Sequence, residues 1–286
     1  MLEKILQITA LKNSNPLWLS LGPLLAFNVT LMLTILFFGL TYEKRVRNSE
    51  DVDRKAHSRF LSRFLKEWWY WFIGPFERGA VKLHLTPNFF TVCGFLLSAV
   101  SAYFFYKGML GLGGWTMIFG ATCDIIDGRI ARLTGRESKS GAFFDSVMDR
   151  FGEAVVFLGL AGFYKDSWLL PVVILGLVGS MMVSYTRARG EGVGVECRGG
   201  IMQRAERIVY LGVGSVFSPI LAYFLSPFIN VHVDFVTVGV LVLIAVMTNL
   251  TALYRMFYII RRLDPPTYPS FRFLAWWDEL FPPRKN

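Results

Sequence analysis

The chain has 286 residues, 53% of them hydrophobic, and a mean hydropathy of +0.44. That is too apolar for an ordinary soluble domain and fits a polytopic membrane protein, one bundle of about six or seven helices at about 20 apolar residues each. The formal charge of +9 is crowded into particular loops, which points to an anionic membrane surface or anionic substrates and not to nucleic acid.

Residues 17–40 carry no charge and are predicted to cross a bilayer. No small-residue cleavage site follows, so the segment reads as a retained span and not as an export signal. Residues 41–58 form a charged linker. The run RFLSRFLKEWWYWFIGPFERGAVKLHL at 59–85 alternates basic residues with Phe, Leu and Trp at helical spacing. It is predicted to be an interfacial helix, with Trp68, Trp69 and Trp71 at headgroup depth. The alternative is an amphipathic helix packed on the protein itself.

Further apolar segments are predicted at about 88–106, 110–131, 142–163, 168–186, 205–226 and 233–259. The tail 261–286 is Pro-rich, basic and aromatic, and reads as a partly interfacial surface tail. Three units follow: 1–58 (span and linker), 59–260 (main helical domain) and 261–286 (tail). Lys and Arg concentrate in 41–85, 132–141, 187–204 and beyond Arg255, whereas the other connections are short and carry little charge. Seven spans with the N-terminus outside would place all four basic regions in the cytoplasm.

Four aspartates interrupt this apolar pattern at 124, 127, 145 and 149. An ionisable residue in a membrane segment is costly and marks a functional site by default. Asp124 and Asp127 are three apart, and Asp145 and Asp149 four apart, so each pair shares a helix face. A short basic loop joins the two helices, so they should be antiparallel neighbours with converging acidic faces. Such carboxylates repel unless cations lie between them, and oxygen ligands without His or Cys select hard ions such as Mg²⁺, Mn²⁺ or Ca²⁺. Two ions could bridge and polarise a phosphoryl group. Gly128, Ala131 and Gly141 leave room for a ligand or a neighbouring helix. Arg132 could pair with a carboxylate or a phosphate. The bland alternative is solvated helix ends paired to Arg129, Arg132 and Arg150. Cys93, Cys123 and Cys197 show no metal-ligand spacing, and His57, His84 and His232 stand isolated.

The run Asp124-x2-Asp127-Gly128-x2-Ala131-Arg132-x8-Gly141-x3-Asp145-x3-Asp149 resembles the complete signature of the CDP-alcohol phosphatidyltransferases. The resemblance covers about residues 59–260 and implies an all-α membrane bundle with a six-helix core. An amphipathic helix precedes that core, the assembly is commonly a homodimer, and the first span of this chain is extra. It further implies displacement of CMP from a CDP-linked donor, usually CDP-diacylglycerol, by an alcohol. On that likeness Asp124, Asp127, Asp145 and Asp149 hold metal, expected as two Mg²⁺ with Mn²⁺ an alternative. Asp149 is also the general base for the acceptor hydroxyl. Cytidine is expected near Gly128 and Ala131, with Arg132 and Gly141 beside the donor. The run LTPNFFT at 85–91 resembles the start of the family's first core helix. That likeness places Pro87, Asn88 and Thr91 near the nucleotide, although Thr-Pro-Asn is also a plain helix start.

The signature does not name the acceptor. In SYTRARGEGVGVECRGGIMQRAER, Arg187, Arg189, Arg204 and Arg207 flank a Gly-containing loop. Arginines favour bidentate phosphate recognition, so an acceptor with its own phosphate would account for them, as would positive-inside anchoring. The stretch is similar to the prokaryotic phosphatidylinositol phosphate synthase branch. That likeness implies that Arg187, Arg189 and Arg204 bind the phosphate of inositol 1-phosphate. Gly190 and Gln203 depart from the branch's pattern, and glycerol 3-phosphate is the competing acceptor. A cation transporter and an inactive membrane scaffold are the readings from other classes. Against them stand the lack of a clear internal repeat and an intact signature.

Overall fold

The computed structural model describes residues 16–41, 63–197 and 199–263, and among them the regular structure is all helical. The helices are α1 (Pro16–Thr41), α2 (Arg63–Lys82), α3 (Pro87–Tyr106), α4 (Leu110–Leu133), α5 (Lys139–Phe163), α6 (Leu170–Gly192), α7 (Arg204–Leu225) and α8 (Phe235–Leu263). Each apolar segment predicted between 88 and 259 becomes one helix, α3 to α8. The largest boundary difference is in α6, which continues past 186 to Gly192 and so carries Arg187 and Arg189 on a helix. The linker 42–58 and the tail from 264 lie outside the described residues.

Local chemistry sets the helix ends near the aspartates. Thr86 is extended and Pro87 opens α3, where its missing N–H costs no helical hydrogen bond. Gly135 takes the left-handed φ of 64° that reverses the chain after α4. Ser138 caps α5, its Oγ accepting the Gly141 N–H at 3.0 Å. Gln203 and Glu206 form a capping box at the start of α7.

Helix α3 packs against both α4 and α5, α6 packs on α8, and α7 closes against α4. The main core joins Phe105, Phe157, Leu160, Val173, Leu211 and Ile244 from five of these helices. Backbones approach closely where side chains are absent. A Cβ on Gly159 would run into the carbonyl group of Ala102, so α3 and α5 touch main chain to main chain.

α1 seats Phe27 edge-on against Trp115 of α4, ring centroids 4.1 Å apart. α2 turns Ile73 and Ala80 onto Ile126 and Ile130 of α4. Trp68 is buried and stacks on Phe72 at 5.8 Å. Part of the apolar face of α2 therefore packs on α4, while Leu65 and Phe76 stay exposed. Four described helices, α3, α6, α7 and α8, are long and apolar enough to cross a membrane. α4 and α5 are of similar length but carry the aspartates, and α1 is apolar over Leu25–Thr41.

Candidate active site

Asp124 and Asp127 on α4 face Asp145 and Asp149 on α5, as the helical spacing predicted. Carboxylate oxygens of Asp124, Asp127 and Asp145 lie within 4.8 Å of one another. Asp127 is buried and accepts a hydrogen bond from Thr91 Oγ1 of α3 at 2.6 Å. Asp145 Oδ1 is buried with no hydrogen-bond partner. An orphaned carboxylate oxygen is costly, and three such groups this close repel. An all-oxygen donor set with an unmet lone pair fits a hard divalent cation. The residues present therefore suit a divalent metal centre.

Asp149 stands outside that trio. Its Oδ2 is 2.7 Å from Arg204 Nη1 and 3.9 Å from Arg150 Nη1. Arg204 Nη1 also lies 2.9 Å from Asp124 Oδ2. One guanidinium from the first residue of α7 thus bridges an aspartate of α4 and one of α5. Asp124, Asp145, Asp149 and Arg204 line one open cleft, together with the apolar Met117, Met148 and Val156. Its charged side chains can hold phosphates, and its apolar ones offer a surface to the rest of a lipid-linked donor.

Of the residues expected at the donor, Thr91 lines the cleft and orients Asp127. Gly128, Ala131 and Arg132 continue α4 beyond Asp127, and Arg132 Nη1 lies 3.5 Å from where a Cβ on Gly128 would be. Asn88 Oδ1 comes within 3.8 Å of the equivalent point on Gly141, so the starts of α3 and α5 meet beside Pro87. Of the arginines expected at the acceptor, only Arg204 reaches the aspartates. Arg187 Nε pairs with Glu191 at 2.9 Å on the exposed side of α6, and Arg189 is exposed. Arg129 Nε pairs with buried Glu77 of α2.

Sequence reasoning missed Glu153. It lines the cleft one turn beyond Asp149 and forms a buried two-pronged pair with Arg207, at 2.6 and 2.9 Å. The available signal was a glutamate four residues after Asp149 in an apolar segment, a position that demands a cationic partner.

A family model, CDP-alcohol phosphatidyltransferase, matches residues 84–250, which include all four aspartates. The chain belongs to this family. It is an enzyme, a phosphatidyltransferase, and with its apolar helices a multi-pass membrane protein. It is 35% identical over 194 residues to an archaetidylinositol phosphate synthase of Pyrococcus horikoshii, covering 66% of this chain and 93% of that one. It is also 35% identical over 149 residues to a phosphatidylinositol phosphate synthase of Mycolicibacterium smegmatis, covering 50% and 67%. Its fold matches a crystal structure of Mycobacterium tuberculosis phosphatidylinositol phosphate synthase with CDP-DAG bound. The TM-score is 0.55 and the identity 28%, over 65% of this chain and 92% of that one. A structure of the same enzyme with manganese and citrate matches at a TM-score of 0.57 and 29% identity, over 65% and 88%.

Proposed function

We propose that this phosphatidyltransferase transfers the phosphatidyl group of CDP-diacylglycerol to inositol 1-phosphate, giving phosphatidylinositol phosphate and CMP. The observation that carries the reading is Arg204, a bidentate-capable guanidinium set 2.7 Å from Asp149 and 2.9 Å from Asp124. A neutral alcohol would have little use for a cation there, whereas an acceptor phosphate would be drawn to it. The names of the relatives in Pyrococcus and Mycolicibacterium support the same acceptor class.

Asp124, Asp127 and Asp145 would hold divalent metal, two Mg²⁺ being the expected complement, with Asp149 contacting one of them. Bound there, the metal would polarise the donor phosphates and neutralise the charge that develops on leaving CMP. Arg204 holds the acceptor phosphate. Asp149 takes the proton from the acceptor hydroxyl as its oxygen bonds to the β-phosphorus and the bond to CMP breaks. Gly128, Ala131, Arg132, Gly141, Pro87 and Asn88, at the meeting of α3, α4 and α5, form the cytidine side of the site. We read α1 and α3 to α8 as seven spans, the basic end facing the cytoplasm and the N-terminus outside, in the cell membrane. A homodimer is the assembly that the family implies.

The test is CMP release by purified protein with CDP-diacylglycerol and Mg²⁺ across inositol 1-phosphate, glycerol 3-phosphate, inositol, serine and choline. Release with inositol 1-phosphate alone is the expected result. Release with glycerol 3-phosphate alone would keep the arginine argument and replace the acceptor. Release with an unphosphorylated alcohol would overturn both.

A further inference from the structure

We propose that Glu153 and Arg207 form a positioning pair that fixes Arg204 for the acceptor, a role that rests on Arg204 binding the acceptor phosphate. Arg204 is the first residue of α7. The first turn of a helix lacks its full set of internal hydrogen bonds and frays readily, so a functional side chain placed there needs outside support.

The support converges on Arg207, one turn further on. Its Nε and Nη2 donate to the two carboxylate oxygens of Glu153 on α5 at 2.6 and 2.9 Å. Its Nη1 donates to the Met202 carbonyl at 3.1 Å, in the loop just before α7. One side chain therefore ties the opening turn of α7 both to the loop that feeds it and to the helix that carries Asp145 and Asp149. The loop is held from its other side by Arg255, which donates to the Gly199 carbonyl at 2.8 Å and the Val183 carbonyl at 2.7 Å.

The placement of the charges argues against a merely structural pair. Arg207 is 1% exposed and Glu153 7%, so both charges are desolvated. A buried ion pair seldom stabilises a fold more than apolar residues of the same shape, and its best-attested use is to specify register. Glu153 also belongs to the cleft wall. Along α5, Asp145, Asp149 and Glu153 repeat at four residues, and they face Arg204 and Arg207 on α7. With Glu153 neutral, Arg207 would be drawn towards Asp149, the carboxylate that now holds Arg204. The pair keeps the two arginines on separate partners.

The experiment compares Glu153→Gln, Arg207→Lys and Arg204→Gln with the wild type. For each, kcat and the KM values for inositol 1-phosphate and CDP-diacylglycerol are measured, with the thermal midpoint alongside. Glu153→Gln keeps the shape and removes the charge. Arg207→Lys keeps the charge and removes the planar fork. Misfolding lowers the active fraction, and so the apparent kcat, without moving either KM. A positioning role raises the acceptor KM by about tenfold or more in both variants, with the donor KM within about twofold. An acceptor KM that stays at the wild-type value in Glu153→Gln and Arg207→Lys, while Arg204→Gln raises it, overturns the positioning pair alone. An unchanged acceptor KM in Arg204→Gln overturns the acceptor reading and this inference with it. If Glu153→Gln does not fold, Arg207→Lys decides between the same outcomes.

Discussion

Thr91 Oγ1 donates to Asp127 Oδ2 at 2.6 Å, from the first turns of α3 to the last third of α4. Thr91 is buried, and so is Asp127. The hydroxyl orients a carboxylate that belongs to the metal-suited trio. Partners of this kind are typically worth about 10- to 100-fold in metal affinity. Thr91→Val, which keeps the shape, should weaken Mn²⁺ binding by that order, read as free Mn²⁺ by electron paramagnetic resonance. Thr91→Ser should stay close to the wild type. Equal Mn²⁺ affinity in the valine variant would reduce Thr91 to packing.

Asp149 is set apart from the trio by geometry, since Arg204 and not a neighbouring carboxylate engages its Oδ2. Asp149→Asn should therefore lower CMP release by at least about 100-fold, in the range expected for loss of a general base. Binding of CDP-diacylglycerol should persist. Equilibrium binding of the donor and turnover, measured on the same preparation, separate the two effects. Normal turnover would remove Asp149 from proton transfer.

Metal should also act on stability. Three carboxylates within 4.8 Å and an orphaned Asp145 Oδ1 make the ion-free site electrostatically unfavourable. A ligand that binds only the folded state adds about 2.7 kcal/mol at a hundred times its Kd. The thermal midpoint should rise on adding Mg²⁺ or Mn²⁺, fall with a chelator and recover on re-addition, in step with activity. Asp145→Asn should lose most of the rise. A midpoint indifferent to metal in the wild type would argue that the ion enters only with the nucleotide.

Much of this site was legible because helical periodicity is local. Spacings of three and four are enough to place Asp124 with Asp127 and Asp145 with Asp149, and a short basic loop is enough to bring their acidic ends together, although the helices themselves pack through α3. The Pro87 helix start and the apolar segments are legible for the same reason. What was hidden is rotation and register between helices distant in sequence. Arg204 meets Asp124 across 80 residues, and Arg207 meets Glu153 across 54. Hydropathy treats Arg187, Arg189 and Arg204 alike as basic loop residues. The extension of α6 to Gly192 pairs Arg187 with Glu191, and of these three arginines it is Arg204 that the structure sets beside Asp124 and Asp149. The burial of Trp68 was hidden for a related reason. An amphipathic pattern shows that one face of α2 is apolar but not whether lipid or α4 covers it.

The closeness of α3 and α5 gives the last prediction. A Cβ on Gly159 would overlap the Ala102 carbonyl oxygen and carbon. Backbone cannot rotate aside as a side chain does, so Gly159→Ala must push the two helices apart. Overpacking of this kind typically costs about 1–3 kcal/mol. The displacement would also shift Asp145, carried by α5, relative to Asp127, which Thr91 of α3 holds. Gly239 on α8 is the control, because nothing lies within 4 Å of the point where its Cβ would sit. Gly239→Ala should hold or raise stability, by up to about 1 kcal/mol of helix propensity. Thermal midpoints of both variants in one detergent, with Mn²⁺ affinity alongside, check the pair. The expected result is a lower midpoint and weaker metal binding in Gly159→Ala only. Equal midpoints would mean that α3 and α5 are free to separate without loss.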